Sequence, residues 1–251
     1  MSHNKKSRLS VGIVWPEPVS QNLYEEVLLL LPDPVQLHMQ TVDPPPQLLG
    51  GITLENVVGI ATNPNIEETA QKLAGLGVRA VGYGCTSGSY ARGIGGDTDI
   101  AYRMQEASGV PATTTSTAAV RALRQLGVHR VAVLSPHVDE LNQRLKEFLG
   151  DSGFDVVHIV GLNKLSGIEE ISPTIVATLV KEQVDSPEAD GIFISCTGLR
   201  TAAIIDTLEQ RLSKPVVGAN QATTWDLLRL AHSLTPKAGL GRLYKEPVSE
   251  M

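Results

Sequence analysis

The sequence predicts an α/β protein of two pseudo-symmetric lobes, each a mostly parallel sheet flanked by helices, with a shared site between them. Three observations lead there. Short apolar segments that read as buried strands alternate with helical stretches at the spacing of α/β units. The first half of the chain returns in the second: Val11-Gly-Ile-Val-Trp-Pro16 falls on Val131-Ala-Val-Leu-Ser-Pro136 at an offset of 120, and Pro111 to Gly127 falls on Pro215 to Ala231 at an offset of 104. The only two cysteines, Cys85 and Cys196, follow corresponding apolar segments, in Val81-Gly-Tyr-Gly-Cys-Thr-Ser-Gly-Ser89 and Gly191-Ile-Phe-Ile-Ser-Cys-Thr-Gly-Leu-Arg-Thr201. Their separation of 111 lies between the two offsets, as it should if the second copy has lost loop residues.

Leu9 to Trp15 is the first strand, ended by Pro16 and Pro18. Ser20 is an N-cap candidate for a helix that runs through Val27 to Leu31 and stops at Pro32. Val35 to Val42 is strand-like and runs into Pro44-Pro45-Pro46, which can be neither helix nor central strand. That loop is long enough for a flap, although a surface linker is the commoner meaning. Gly59 to Gly77 contains a helix carrying Glu67, Glu68, Ala70 and Leu73, and Val78 to Tyr83 is the strand that delivers Cys85. Met104 to Ser108 closes the helix after that cysteine, and Gly109-Val-Pro-Ala112 opens the next strand. Residues 1–117 are expected to form the first lobe and 118–219 the second.

At 251 residues and 42% hydrophobic, the chain can bury the core of an enzyme-sized domain. A formal charge of −6 without a basic run gives no footprint for nucleic acid or an anionic membrane. The polar N-terminus lacks a signal peptide's apolar stretch, and no window approaches the roughly 18 to 20 apolar residues of a membrane span. A cytoplasmic location is expected, with both cysteines as free thiols. Histidines 3, 38, 129, 158 and 232 are dispersed, with no spacing for a metal. Gly93-Ile-Gly-Gly-Asp97 reads as a turn and Trp225 as core; Arg92 and Arg200 are candidates to approach an anionic substrate, although a solvated cation is the commoner meaning for each.

In open parallel sheets, ligands gather where strands end and helices begin, and both cysteines occupy that turn. A helix N-terminus there offers free N–H groups to carboxylate oxygens and lowers the pKa of a thiol. Thr86, Ser87, Ser89, Thr197 and Thr201 add hydroxyls, while Gly84, Gly88 and Gly198 let a ligand approach the backbone. A lone cysteine after an apolar strand is as readily a buried hydrophobe. Two in one motif describe paired oxyanion-binding loops, each carrying a thiol.

The segments Gly84-Cys-Thr-Ser-Gly88, Ser195-Cys-Thr-Gly-Leu-Arg-Thr201, Leu134-Ser-Pro-His-Val-Asp-Glu-Leu-Asn142 and Asn220-Gln-Ala-Thr-Thr-Trp-Asp-Leu-Leu-Arg-Leu230 resemble the Asp/Glu racemase superfamily. The branch is that of maleate cis-trans isomerases, arylmalonate decarboxylases and the racemase-like proteins of ectoine utilisation. The last of these is closest in the final two motifs. The resemblance spans about Val11 to Leu234. It implies two α/β lobes with the site between them, no metal or organic cofactor, and a segment from about Asn220 that packs back on the first lobe.

It also implies roles. Cys85 would be the nucleophile or first acid/base and Cys196 its opposite partner. Pro16, Thr86, Ser87, His137, Thr197 and Gly198 would contact a small carboxylate. A racemase needs a base on one face of the reacting carbon and an acid on the other; a maleate-type isomerase adds one thiolate to a double bond, lets the new single bond rotate and eliminates it. The family's decarboxylases keep only the second cysteine, and Cys85 stands where they carry glycine, which favours an isomerase or racemase. Two departures matter. The family's Pro-Tyr reads Pro136-His137, where the imidazole can donate a hydrogen bond or pair with carboxylate as His⁺. The first strand ends Trp15-Pro16-Glu17-Pro18, lacking the Ser-Asn pair of maleate isomerases, which leaves Asn22 as a candidate contact. The expected function is a cofactor-independent isomerase of a small carboxylate, with a malonate-type decarboxylase and a non-catalytic carboxylate-binding protein as alternatives. A homo-oligomer is the expected assembly.

Overall fold

The first strand, β1 (Ser10–Trp15), is buried along its whole length, as a strand covered by helices on both faces requires. The computed structural model, which describes residues 9–42 and 51–245, places it in a parallel sheet with β2 (Gln36–Thr41), β3 (Val81–Tyr83) and β4 (Ala112–Thr114). A second parallel sheet holds β5 (Arg130–Ser135), β6 (Asp155–Gly161), β7 (Gly191–Ile194) and β8 (Val216–Gly218). The strand orders are β2-β1-β3-β4 and β6-β5-β7-β8, so one topology is drawn twice. The offsets in the sequence therefore pair β1 with β5, and β4 with β8.

The first helix, α1 (Gln21–Leu30), begins where Ser20 Oγ accepts the Leu23 N–H at 3.3 Å, and it ends before Pro32. Where the sequence suggested one helix before β3, there are two, α2 (Leu54–Ala61) and α3 (Asn65–Gly75). Thr53 caps α2 through the Asn56 N–H, and the chain breaks before Pro64. Two helices also follow Cys85: α4 (Thr86–Tyr90) and α5 (Gly96–Ser108). Gly93 and Gly95, with φ of 77° and 85°, make the turn between them, in a left-handed region that glycine enters without strain. The Pro44–Pro46 stretch lies outside the described residues.

The remaining helices are α6 (Thr115–Gln125), α7 (Asp139–Asp151), α8 (Pro173–Leu179), α9 (Ile205–Leu212) and α10 (Ala219–Leu230). Two of them cross over. Helix α6 leaves β4 and touches β7 and β8, whereas α10 leaves β8 and touches β3 and β4. Leu227 on α10 packs into the space that Gly82 leaves open in β3. Asp226, fully buried, accepts Thr113 Oγ1 at 2.6 Å and pairs with Arg121 and Arg229. One apolar cluster consequently runs through both halves, joining Ile13, Val133, Phe193, Val217 and Trp225.

Candidate active site

Between β1 and β3, neighbours in the sheet, the chain departs to opposite sides, and it does the same between β5 and β7. Such switch points leave a crevice at the carboxyl ends of the strands. The two crevices open into one cleft of ≈ 900 Å³. Into it β1 delivers Pro16 and Glu17, β3 delivers Gly84 to Ser87, β5 delivers His137, and β7 delivers Cys196 to Gly198 and Arg200. All eight residues singled out in the sequence thus line the same cleft. Ile52, Val57 and Ile60 form an apolar wall, and the loop Leu165–Glu170 adjoins it. The two halves touch there, with Ile52 N donating to Leu165 O at 3.0 Å.

Cys85 is the N-cap of α4, and its Sγ accepts the Gly88 N–H at 3.3 Å with Ser87 Oγ at 3.7 Å. The sequence argument expected these donors to lower the thiol pKa. They do act downward, but burial outweighs them and pushes Cys85 up to about 11. The glycines beside it serve protein packing more than ligand access. A Cβ on Gly84 would lie 2.4 Å from the Trp15 ring, and one on Gly88 would lie 2.8 Å from Tyr83 Oη and 3.1 Å from Cys85 Sγ. Ser89 turns away from the cleft, its hydroxyl binding Cys85 O, Thr86 O and Ser116.

Cys196 has no helix behind it. The chain turns through 197–204 before α9, so the expected helix N-terminus is missing on this side. The Cys196 backbone itself holds φ at 89°, which costs a non-glycine residue about 1–3 kcal/mol. The loop is fixed by other means. Glu26 of α1, 4% exposed, accepts the N–H groups of Thr201 and Ala202 at 2.6 and 2.8 Å, Thr197 Oγ1 donates to Gly84 O, and Asn220 holds Thr197 O. Burial, with smaller contributions from Cys85 and Glu17, pushes the Cys196 thiol up to about 12.

His137 is 1% exposed, and neither ring nitrogen has a hydrogen-bond partner. Burial lowers its pKa to about 4, so the imidazole is neutral at pH 7 and offers one N–H, and the His⁺ alternative does not hold in the free site. Thr86 Oγ1 is likewise buried and unpartnered. Asn22 lines the cleft, but its repeat partner Asn142 instead supports the loop, donating to His137 O at 3.0 Å. Arg92 pairs with Asp99 away from the cleft, as a surface cation would; Arg200, expected to be solvated, lines the cleft.

Glu17 and Glu26 were not singled out as functional. Glu26 left a signal, because Leu23, Glu26, Val27 and Leu30 fall on the buried face of α1, where an acid must have partners.

A pair of cysteines raised from the switch points of two like sheets defines the class, a two-lobed α/β enzyme whose thiols share one cleft. The family model of arylmalonate decarboxylase matches residues 53–244, and the chain belongs to that family. An arylmalonate decarboxylase of Bordetella bronchiseptica is 34% identical over 79% of this chain and 83% of its own. A maleate isomerase of Pseudomonas putida is 25% identical over 71% of this chain and 75% of its own. Among solved structures, a liganded arylmalonate decarboxylase carrying a glycine-to-cysteine and a cysteine-to-serine substitution superposes with a TM-score of 0.81 at 29% identity, covering 94% of this chain and 98% of that one. The relatives in this family thus include both a decarboxylase and isomerases. No helix among the described residues is long and apolar enough to cross a membrane.

Proposed function

We propose that the protein is a cofactor-independent isomerase of a small carboxylate, by racemisation or cis-trans isomerisation, in which Cys85 and Cys196 act on the two faces of one substrate. The observation that carries this reading is the delivery of one thiol from each sheet into a single cleft. Cys85 has the Gly88 N–H and the Ser87 hydroxyl beside its sulfur, donors that would hold a thiolate acting as base or nucleophile, and Cys196 would then serve as the acid. Because a charge on Cys85 raises Cys196 further, the site opposes two thiolates at once, so that when one thiol gives up its proton the other keeps its own, the state a two-base reaction needs.

In racemisation the Cys85 thiolate takes the proton next to the carboxylate, Cys196 returns its own on the other face, and the reverse direction exchanges the roles. In cis-trans isomerisation the thiolate forms a C–S bond, the former double bond rotates, and the C–S bond breaks to restore the thiolate. Either way, charge gathers on the carboxylate oxygens, where Thr86, Ser87, neutral His137 and the Gly198 side of the second loop offer donors.

Decarboxylation of a malonate-type acid is the second reading, favoured by the 34% identical decarboxylase. It needs Cys196 to protonate the enediolate left after carbon dioxide departs. Turnover assays on 2-substituted acids, unsaturated dicarboxylates and malonates separate the two. Cys85→Ala and Cys196→Ala should each lower isomerisation by about 10²- to 10⁴-fold with the fold retained. Full activity in either variant defeats the two-thiol mechanism, and carbon dioxide release that persists in Cys85→Gly and vanishes in Cys196→Ala makes the protein a decarboxylase.

A further inference from the structure

The cleft is chemically lopsided. Its deepest polar atoms are unpartnered: both ring nitrogens of His137 and Oγ1 of Thr86 have no hydrogen-bond partner, and each residue is only 1% exposed. Buried groups of this kind are rare unless a ligand supplies the missing bond. The open side is acidic. Glu17, just past β1, and Glu169 and Glu170, in the short helical turn Ile168–Glu170, face the same space against a single guanidinium, that of Arg200. Glu17 and Glu170 are exposed and Glu169 is half-buried, so these three mark the mouth and the unpartnered atoms mark the floor.

Among the described residues, none of the three carboxylates forms an ion pair. Arg200 forms no ion pair among the described residues and its Nε has no hydrogen-bond partner, while its charge favours the carboxylate of the buried Glu26; one guanidinium still leaves three carboxylates at the mouth in excess. Glu17 and Glu169 come from opposite halves of the chain to line one cleft, and the pKa of Glu17 is raised, first by the desolvation of its carboxylate in the cleft and then by the negative charge of Glu169. Such convergence is unfavourable in the empty cleft, and a positive charge between them relieves it. A metal ion fits poorly, since no group of three His, Cys, Asp or Glu among the described residues could hold one.

A dicarboxylate seated with one end on the floor would bring its second charge toward Glu17 and Glu169. We infer that the substrate is a monocarboxylate with an ammonium or similar cation at its far end, the carboxylate held by Thr86, Ser87 and His137 and the cation lying between Glu17 and Glu169. This rests on the cleft's being a carboxylate site and narrows what that site accepts.

Calorimetric titration of the full chain with γ-aminobutyrate, butyrate and succinate tests it, because these acids share a chain length and differ at the far end as cation, neutral group and anion. The expected order is γ-aminobutyrate tightest, butyrate about tenfold weaker and succinate weaker again by about as much. Glu17→Gln combined with Glu169→Gln should erase the advantage of γ-aminobutyrate and strengthen succinate, leaving butyrate within about twofold. Succinate binding tightest to the unaltered protein, γ-aminobutyrate failing to bind, or an order unchanged in the double variant overturns the inference. The titration reads binding alone. An error in the thiol mechanism appears instead as retained turnover in the cysteine variants while the cation preference stands.

Discussion

At the scale of single residues, the site is defined by groups held in their neutral forms. Both thiols are pushed above their ordinary value and His137 below its own, in each case first by burial. Water-poor surroundings strengthen every hydrogen bond and charge contact made to a bound anion. For His137 the consequence can be measured without a substrate. Its pKa is about 4 in the folded chain against 6.5 unfolded, so the unfolded state binds more protons between those values. The contribution to stability is present above pH 6.5 and is lost as pH falls toward 4, up to about 3 kcal/mol from this group. Urea unfolding at stepped pH should show that loss in the unaltered protein and its absence in His137→Gln. Equal acid sensitivity in both would mean that another group carries it.

At the scale of elements, the cysteine loops depend on close packing behind them. Gly84 lies against Trp15 and Ile13, where a Cβ would meet ring carbons at 2.4 and 2.8 Å and a methyl at 2.9 Å. These are buried groups on β1 with no room to retreat. Gly84→Ala should therefore destabilise the fold by about 1–3 kcal/mol and displace Cys85 relative to β1. A thermal melt unchanged within error would show that the strand ends are more pliant than this packing implies. The elements themselves were largely legible, because their signals are local: Ser20 and Pro32 bracket α1, and Ser108 closes α5 just before Gly109. Helix α2 was missed although Thr53 at its cap and Pro64 after it were available signals, because its apolar residues merge into the pattern of the next helix. The absence of a helix directly after Cys196 could not be read from the motif, since an apolar strand followed by Cys-Thr and a glycine opens both loops.

At the scale of the molecule, the repeated strand order makes one cleft out of two switch points, and the crossing of α6 and α10 ties the halves together. The cysteines and the hydroxyls next to them were visible in the sequence because each motif lies within a few residues of one strand end. Glu17 and Glu169 were not, because they converge from separate loops and nothing in their local sequence marks the approach, whereas Arg200 stands in the Cys196 motif itself. Glu26 belongs to the same lesson, reaching from α1 to the loop after Cys196. The most direct test of the shared site is to alkylate both thiols and follow each by mass spectrometry across pH, with and without a bound carboxylate ligand. Two protonated thiols on one substrate should label slowly at pH 7 and faster as pH rises toward about 11. The same acid should protect Cys85 and Cys196 together. Protection of one thiol alone, or of neither by an acid that binds, would contradict a mechanism in which both act on one molecule.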